Sequence, residues 1–195
     1  MSNRVIEHRV AGSSSSWLKS YYLLRFAVSA IWVALAFTLA EGTPVLAAIM
    51  LVTYPAWDAI ANYLDATRSG GLGANKSQTF NIVVSVITTI AVAIALGKGM
   101  SAVLAVYGTW AILSGLFQLV TGLRRWTSAG AQWAMILSGA QSALAGVFFV
   151  KMAGGTAPAG IAHIAGYAAF GAFYFLVSAV WLTVSDARRG ARRAI

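Results

Sequence analysis

The stretch IAVAIALGKGMSAVLAVYG, residues 90–108, sets two apolar runs around a single charge, Lys98, with Gly97 and Gly99 on either side of it. The first run reaches back to Phe80 and the second continues to Leu123. A hydrocarbon core of ~30 Å takes about 20 apolar residues of helix to cross. Each run is therefore read as a membrane span, and GlyLysGly as the turn that joins them outside lipid. The same reading, extended in both directions, gives six spans at residues 21–40, 44–65, 80–97, 100–123, 131–150 and 157–184. Short links rich in turn formers, at 41–44, 97–99 and 151–158, join them in pairs. The expected fold class is all-α: a polytopic membrane protein of six transmembrane helices, arranged as three tandem two-helix hairpins.

Composition points the same way. Of 195 residues, 59% are hydrophobic and 10% charged, and the mean hydropathy is +0.75, too apolar for a soluble surface. The chain has no cysteine, which excludes disulfides, thiolate metal sites and cysteine nucleophiles. Its net charge of +9 matters through position more than through sum. Twelve of the fourteen basic residues (Arg4, Arg9, Lys19, Arg25, Arg68, Lys76, Arg124, Arg125, Arg188, Arg189, Arg192 and Arg193) fall on one side of the predicted spans, and Lys98 and Lys151 on the other. Basic residues concentrate in cytoplasmic loops, so both termini are expected in the cytoplasm. Residues 1–20 then form a cytoplasmic arm, 21–187 the membrane domain and 188–195 a basic cytoplasmic tail. The arm, with four serines at 13–16, is read as flexible or as a short interfacial segment. ThrLeuAla at 38–40 offers small residues for signal cleavage, but the long polar lead and long apolar run favour a retained helix. No nucleic-acid partner is expected, because the basic residues flank spans and form no basic domain.

The inward-running helices repeat. TrpAspAlaIleAlaAsnTyrLeuAspAlaThrArg at 57–68, LeuSerGlyLeuPheGlnLeuValThrGlyLeuArg at 113–124 and ValSerAlaValTrpLeuThrValSerAspAlaArg at 177–188 each carry a small polar residue, then Gly or Ala, then arginine ten positions after the polar one. Asp58, Ser114 and Ser178 are thus equivalent, at intervals of 56 and 64 residues. One hairpin per repeat fits these intervals, with copies at about 21–68, 79–125 and 130–189. An aromatic-rich helix, an Asp-small or Ser-small pair, an arginine just past the helix end and Pro44 after the first helix resemble the short-repeat family of HdeD-like acid-resistance membrane proteins. The resemblance spans residues 21–189, although the second link lacks the proline. It implies a six-helix protein of the bacterial inner membrane, linked in some members to acid stress and without established chemistry.

Tyr54, Asp58, Asn62 and Asp65 recur at i, i+4, i+8 and i+11, which puts them on one face of a helix. Asp58 precedes Arg68 by ten residues, about 15 Å of rise, and so lies deep in the span. A carboxylate at the bilayer centre costs ~2.5–3.5 kcal/mol on insertion scales and is turned toward the bundle interior. Two readings stand for it: a proton- or cation-responsive site in a small transporter or channel, or a hydrogen-bonded brace between helices. Pro55 should bend or break this helix and free the carbonyl of Leu51. Asp65 can pair with Arg68 or Arg25. His163, near the far end of the last helix, is a candidate pH sensor; a metal needs several ligands and none is expected.

IleLeuSerGly occurs twice, ending in Ser114–Gly115 and Ser138–Gly139, and such small residues let helices approach closely. No nucleotide fingerprint, paired catalytic carboxylates or Ser-His-Asp set appears. Neither a cofactor nor catalysis is expected. The expected partners are the lipid bilayer and a second copy or another membrane protein, and the expected role is structural or stress-related.

Overall fold

The computed structural model describes residues 2–124, 132–156 and 159–193, and all the regular structure among them is helical. α1 runs Ser2–Leu35 and ends in a turn of π-helix, Ala36–Ala40; α2 is Pro44–Arg68, α3 Lys76–Leu96, α4 Met100–Arg124, α5 Gln132–Ala153 and α6 Ile161–Arg193. Each contains a segment long and apolar enough to cross a membrane, from 18 residues in α5 to 29 in α6. The chain is thus a multi-pass membrane protein.

Helix runs past the predicted spans at both ends. It begins at Ser2, so the lead continues the first span as helix. At the other end, α6 carries helical structure through the basic stretch to Arg193. The link with Arg125 and Trp126, and Pro158 in the last turn, lie outside the described residues.

The turns have local causes. Gly99 takes φ +97°, a conformation that costs glycine little and L side chains much. The end of α2 is followed by Gly70 and Gly71, also at positive φ. There the Asn75 side-chain amide donates to the carbonyls of Ser69 at 2.7 Å and Gly71 at 2.9 Å, closing the loop into α3.

The chain divides into two compact units, Trp32–Ala168 and the remainder, Met1–Ile31 with Ala169–Ile195. In the smaller unit, parts of the first and last helices lie side by side. Lys19 Nζ is 3.0 Å from Asp186 Oδ2, Tyr22 stacks on Phe175, and the Arg25 guanidinium stands 4.2 Å from the centre of the Phe175 ring. A guanidinium over an aromatic face keeps its charge while shedding water.

The larger unit holds the core, with Leu51, Val92, Val103, Leu104, Tyr107 and Ile164 fully buried. α2, α3, α4 and α5 pack in succession, and α4 with α5 make the closest pair. A Cβ placed on Gly115 would lie 2.6 Å from the Gly139 carbonyl oxygen, and one on Gly146 would lie 2.5 Å from the Gly108 oxygen. Gly108 and Gly139 are as tight in return, at 2.7 and 2.8 Å from the partner glycine's oxygen. These distances are too short for any side chain. Two glycines seven residues apart on each antiparallel helix therefore bring the backbones into direct contact.

Candidate functional site

Along α2, the predicted polar face meets α3. Asp58 Oδ2 accepts from Ser85 Oγ at 2.9 Å and from Asn62 Nδ2 at 3.0 Å. Two turns further, Asp65 Oδ2 accepts from Gln78 Nε2 at 3.2 Å, and its other oxygen takes the Ser69 hydroxyl. Both contacts to α3 keep the same antiparallel register. Ser85, fully buried, also accepts from Trp110 Nε1 of α4 at 3.1 Å. The order Trp110, Ser85, Asp58 is therefore a chain of donors ending at the carboxylate. It ties three helices at one level, where low dielectric strengthens each bond.

Around this chain lies an aromatic group. Tyr54 sits between Trp32, with ring centres 4.7 Å apart, and Trp110, edge-on at 6.2 Å. Tyr107 meets Trp110 edge-on at 5.7 Å, geometries that favour aromatic pairs. Trp32 Nε1 donates to the Met50 carbonyl at 3.0 Å.

Pro55 does not break α2, which is helical from Pro44 to Arg68. The carbonyl of Leu51 that proline leaves without its helical donor accepts the Tyr107 hydroxyl at 2.7 Å, in a fully buried setting. An orphaned backbone carbonyl in lipid costs several kcal/mol (~2–7 by transfer scale), so this bond is what lets the helix keep its proline. Tyr107 follows Leu51 by 56 residues, the interval between Asp58 and Ser114. Tyr54 and Trp110 are related in the same way. The first two copies thus meet at matching positions.

Of the other candidates, Gly115 and Gly139 face each other in the seam of α4 and α5. Ser114 Oγ is buried and makes no hydrogen bond, and Ser138 is half-buried. His163 stands in the first turn of α6. Its Nδ1 is 3.3 Å from the amide nitrogen of Gly160, and also 3.3 Å from that residue's carbonyl oxygen. The ring reaches back to the residue that precedes the helix, as the last residue of a capping box does. Among the described residues, no three His, Asp or Glu side chains gather.

The residues that sequence reasoning missed are Ser85, Tyr107 and Gln78. Ser85 carries a faint signal, a lone small polar residue within IleValValSerValIle at 82–87. Tyr107 has none in its own helix; its role is set by a proline 52 residues earlier.

Residues 81–151 match the family model described as a short repeat of unknown function (DUF308). The match takes in α4 and the α4–α5 seam, with Asn81, Ser85 and Ser114, and stops short of Asp58. No curated protein and no solved structure matches the chain.

Proposed function

We propose that this chain is a structural membrane protein of the HdeD-like type, serving in acid stress through assembly in the bilayer rather than through catalysis, with both termini in the cytoplasm. The observation that carries the proposal is the bonding of Asp58. Its Oδ2 is held by Ser85 and Asn62, and Ser85 by Trp110, so the acid braces three helices. The seal that Tyr107 puts on Leu51 speaks the same way, because a transport path along α2 would use that carbonyl.

The acid element is His163. Nδ1 accepts from the Gly160 amide only while it is unprotonated, and a proton on that nitrogen turns it into a donor to the Gly160 carbonyl.

The test pairs flux with stability. Proteoliposomes of the parent protein should carry no proton- or cation-coupled flux, and Asp58→Leu should lower the melting temperature of the detergent-solubilised protein. Coupled flux in the parent, abolished by Asp58→Asn with melting unchanged, would overturn the structural reading in favour of transport. For the acid element, His163→Ala should alter survival or oligomer state in acidic medium. An unaltered response removes it.

A further inference from the structure

We propose that α6 holds an anionic phospholipid on its outer face, the acyl chains along an exposed apolar line of the helix and the phosphate on Arg188 and Arg192. The line begins deep in the span. Phe170, Phe173, Val180, Trp181 and Val184 are all exposed, and their spacing keeps them on one side of the helix. Arg188, also exposed, follows Phe170 by 18 residues. That is five full turns, so it stands on the same line ~27 Å further on, close to the ~30 Å of a hydrocarbon core. The membrane-crossing segment of α6 ends at Arg189. The line that meets lipid tails therefore runs out into a guanidinium at the depth of the headgroups.

The arginine between them is employed differently. Arg189 lies about 100° around the helix from Arg188, and its guanidinium pairs with Asp186. The other oxygen of that carboxylate takes Lys19 of α1. Asp186, the one acidic residue of α6, is thus turned toward α1 and engaged with two cations. Arg192 follows Arg188 by four residues, and helix continues to Arg193, so its position returns to the outer line. Two arginines extend the lipid face, and the one between them belongs to the seam with α1.

Charge and shape select the ligand. A guanidinium presents a planar fork of N–H groups that matches the oxygens of a phosphate and keeps its charge at any working pH. A zwitterionic headgroup brings an ammonium group that two arginines would also meet, whereas an anionic one brings no such opposition. Trp181 lies two turns inside Arg188 on the same line, and indoles favour this boundary between tails and headgroups. Neither Asp58 nor His163 takes part, so the site goes beyond the structural role proposed above and stands apart from it.

The measurement is melting of the purified full-length protein in detergent, titrated with phosphatidylglycerol or with phosphatidylcholine of the same acyl chains. The parent should show a saturable rise in melting temperature with phosphatidylglycerol, well beyond that with phosphatidylcholine. Arg188→Gln and Arg192→Gln should each move the midpoint of that rise to about fivefold more lipid, the ~1 kcal/mol that a basic residue contributes near an anionic surface. Arg189→Gln removes the same charge from the side toward α1 and should leave the midpoint nearly in place. Equal responses to the two lipids overturn the site. So does a midpoint that Arg188→Gln and Arg192→Gln leave unmoved, or one that all three variants move alike, because net charge and not position would then govern. Glycerol phosphate in place of the lipid should give no rise; a rise equal to that with phosphatidylglycerol would make a free phosphate the ligand and overturn the lipid assignment.

Discussion

The two faces of α4 hold their neighbours by opposite means. Toward α5, Gly108 and Gly115 have no side chain at all, and backbone lies on backbone. Toward α2 and α3, Tyr107 and Trp110 reach out with an aromatic body and a hydrogen-bonding tip. Adjacent residues serve different partners: Tyr107 bonds Leu51 of α2 and Gly108 lies against Gly146 of α5. Lipid tails are as apolar as leucine, so helices in a bilayer gain little from apolar burial and need close approach or interhelical bonds instead. α4 uses one on each side. The glycine face tolerates no added atom, whereas the polar face tolerates changes of shape but not the loss of a bonding partner.

The contrast can be broken hardest at the seam. Gly115→Leu should separate α4 from α5 and cost more than the ~1–3 kcal/mol usual for overpacking, since the obstacles are backbone atoms that no rotamer can move. A thermal melt in detergent reads it, and Gly115→Ala should fall in the same direction. On the polar face, Asp58→Leu should cost about 1–3 kcal/mol by stranding the Ser85 hydroxyl, while Asn62 keeps its bond to the Asp58 carbonyl oxygen. Asp58→Asn, which keeps an acceptor, should recover most of that loss; equal losses for both would mean that shape and not bonding matters there. Smaller again is Tyr107→Phe. It should cost about 1–2 kcal/mol through the unsatisfied Leu51 carbonyl, and the penalty should vanish when Pro55→Ala restores the backbone donor, a double-mutant cycle in the same melt. Least of all, Ser138→Ala should stay within about 0.5 kcal/mol, because the seam is made by Gly139 beside it.

What could be read from the sequence follows from range. Six spans show because length and hydropathy are local properties, and the repeat shows because its copies resemble each other in line. The match of Gly115 to Gly139 was within reach, as IleLeuSerGly occurs once on each of two neighbouring helices. The polar face of α2 was legible from spacing, but the partners of Asp58 and Asp65 were not: Ser85 and Gln78 belong to another helix, and only the antiparallel register selects them. Charge counting likewise assigned Lys19 and Arg25 a side of the membrane without revealing Asp186 or Phe175, which lie more than 140 residues away in the chain. The bond between Tyr107 and Leu51 was half legible. Proline announces the loose carbonyl, and nothing announces the hydroxyl that takes it.

That bond also says something about the copies themselves. The first carries proline at position 55 and the second alanine at the matching position 111, while leucine at 51 is answered by tyrosine at 107. One copy gave up a bond and the other supplies its replacement, so the two are no longer interchangeable parts. A chain made by repeating the first copy would have leucine where the hydroxyl is needed; a chain made by repeating the second would offer a tyrosine to a carbonyl already in use. The repeat survives as an outline, and its halves have become complementary, each shaped by the other's defect.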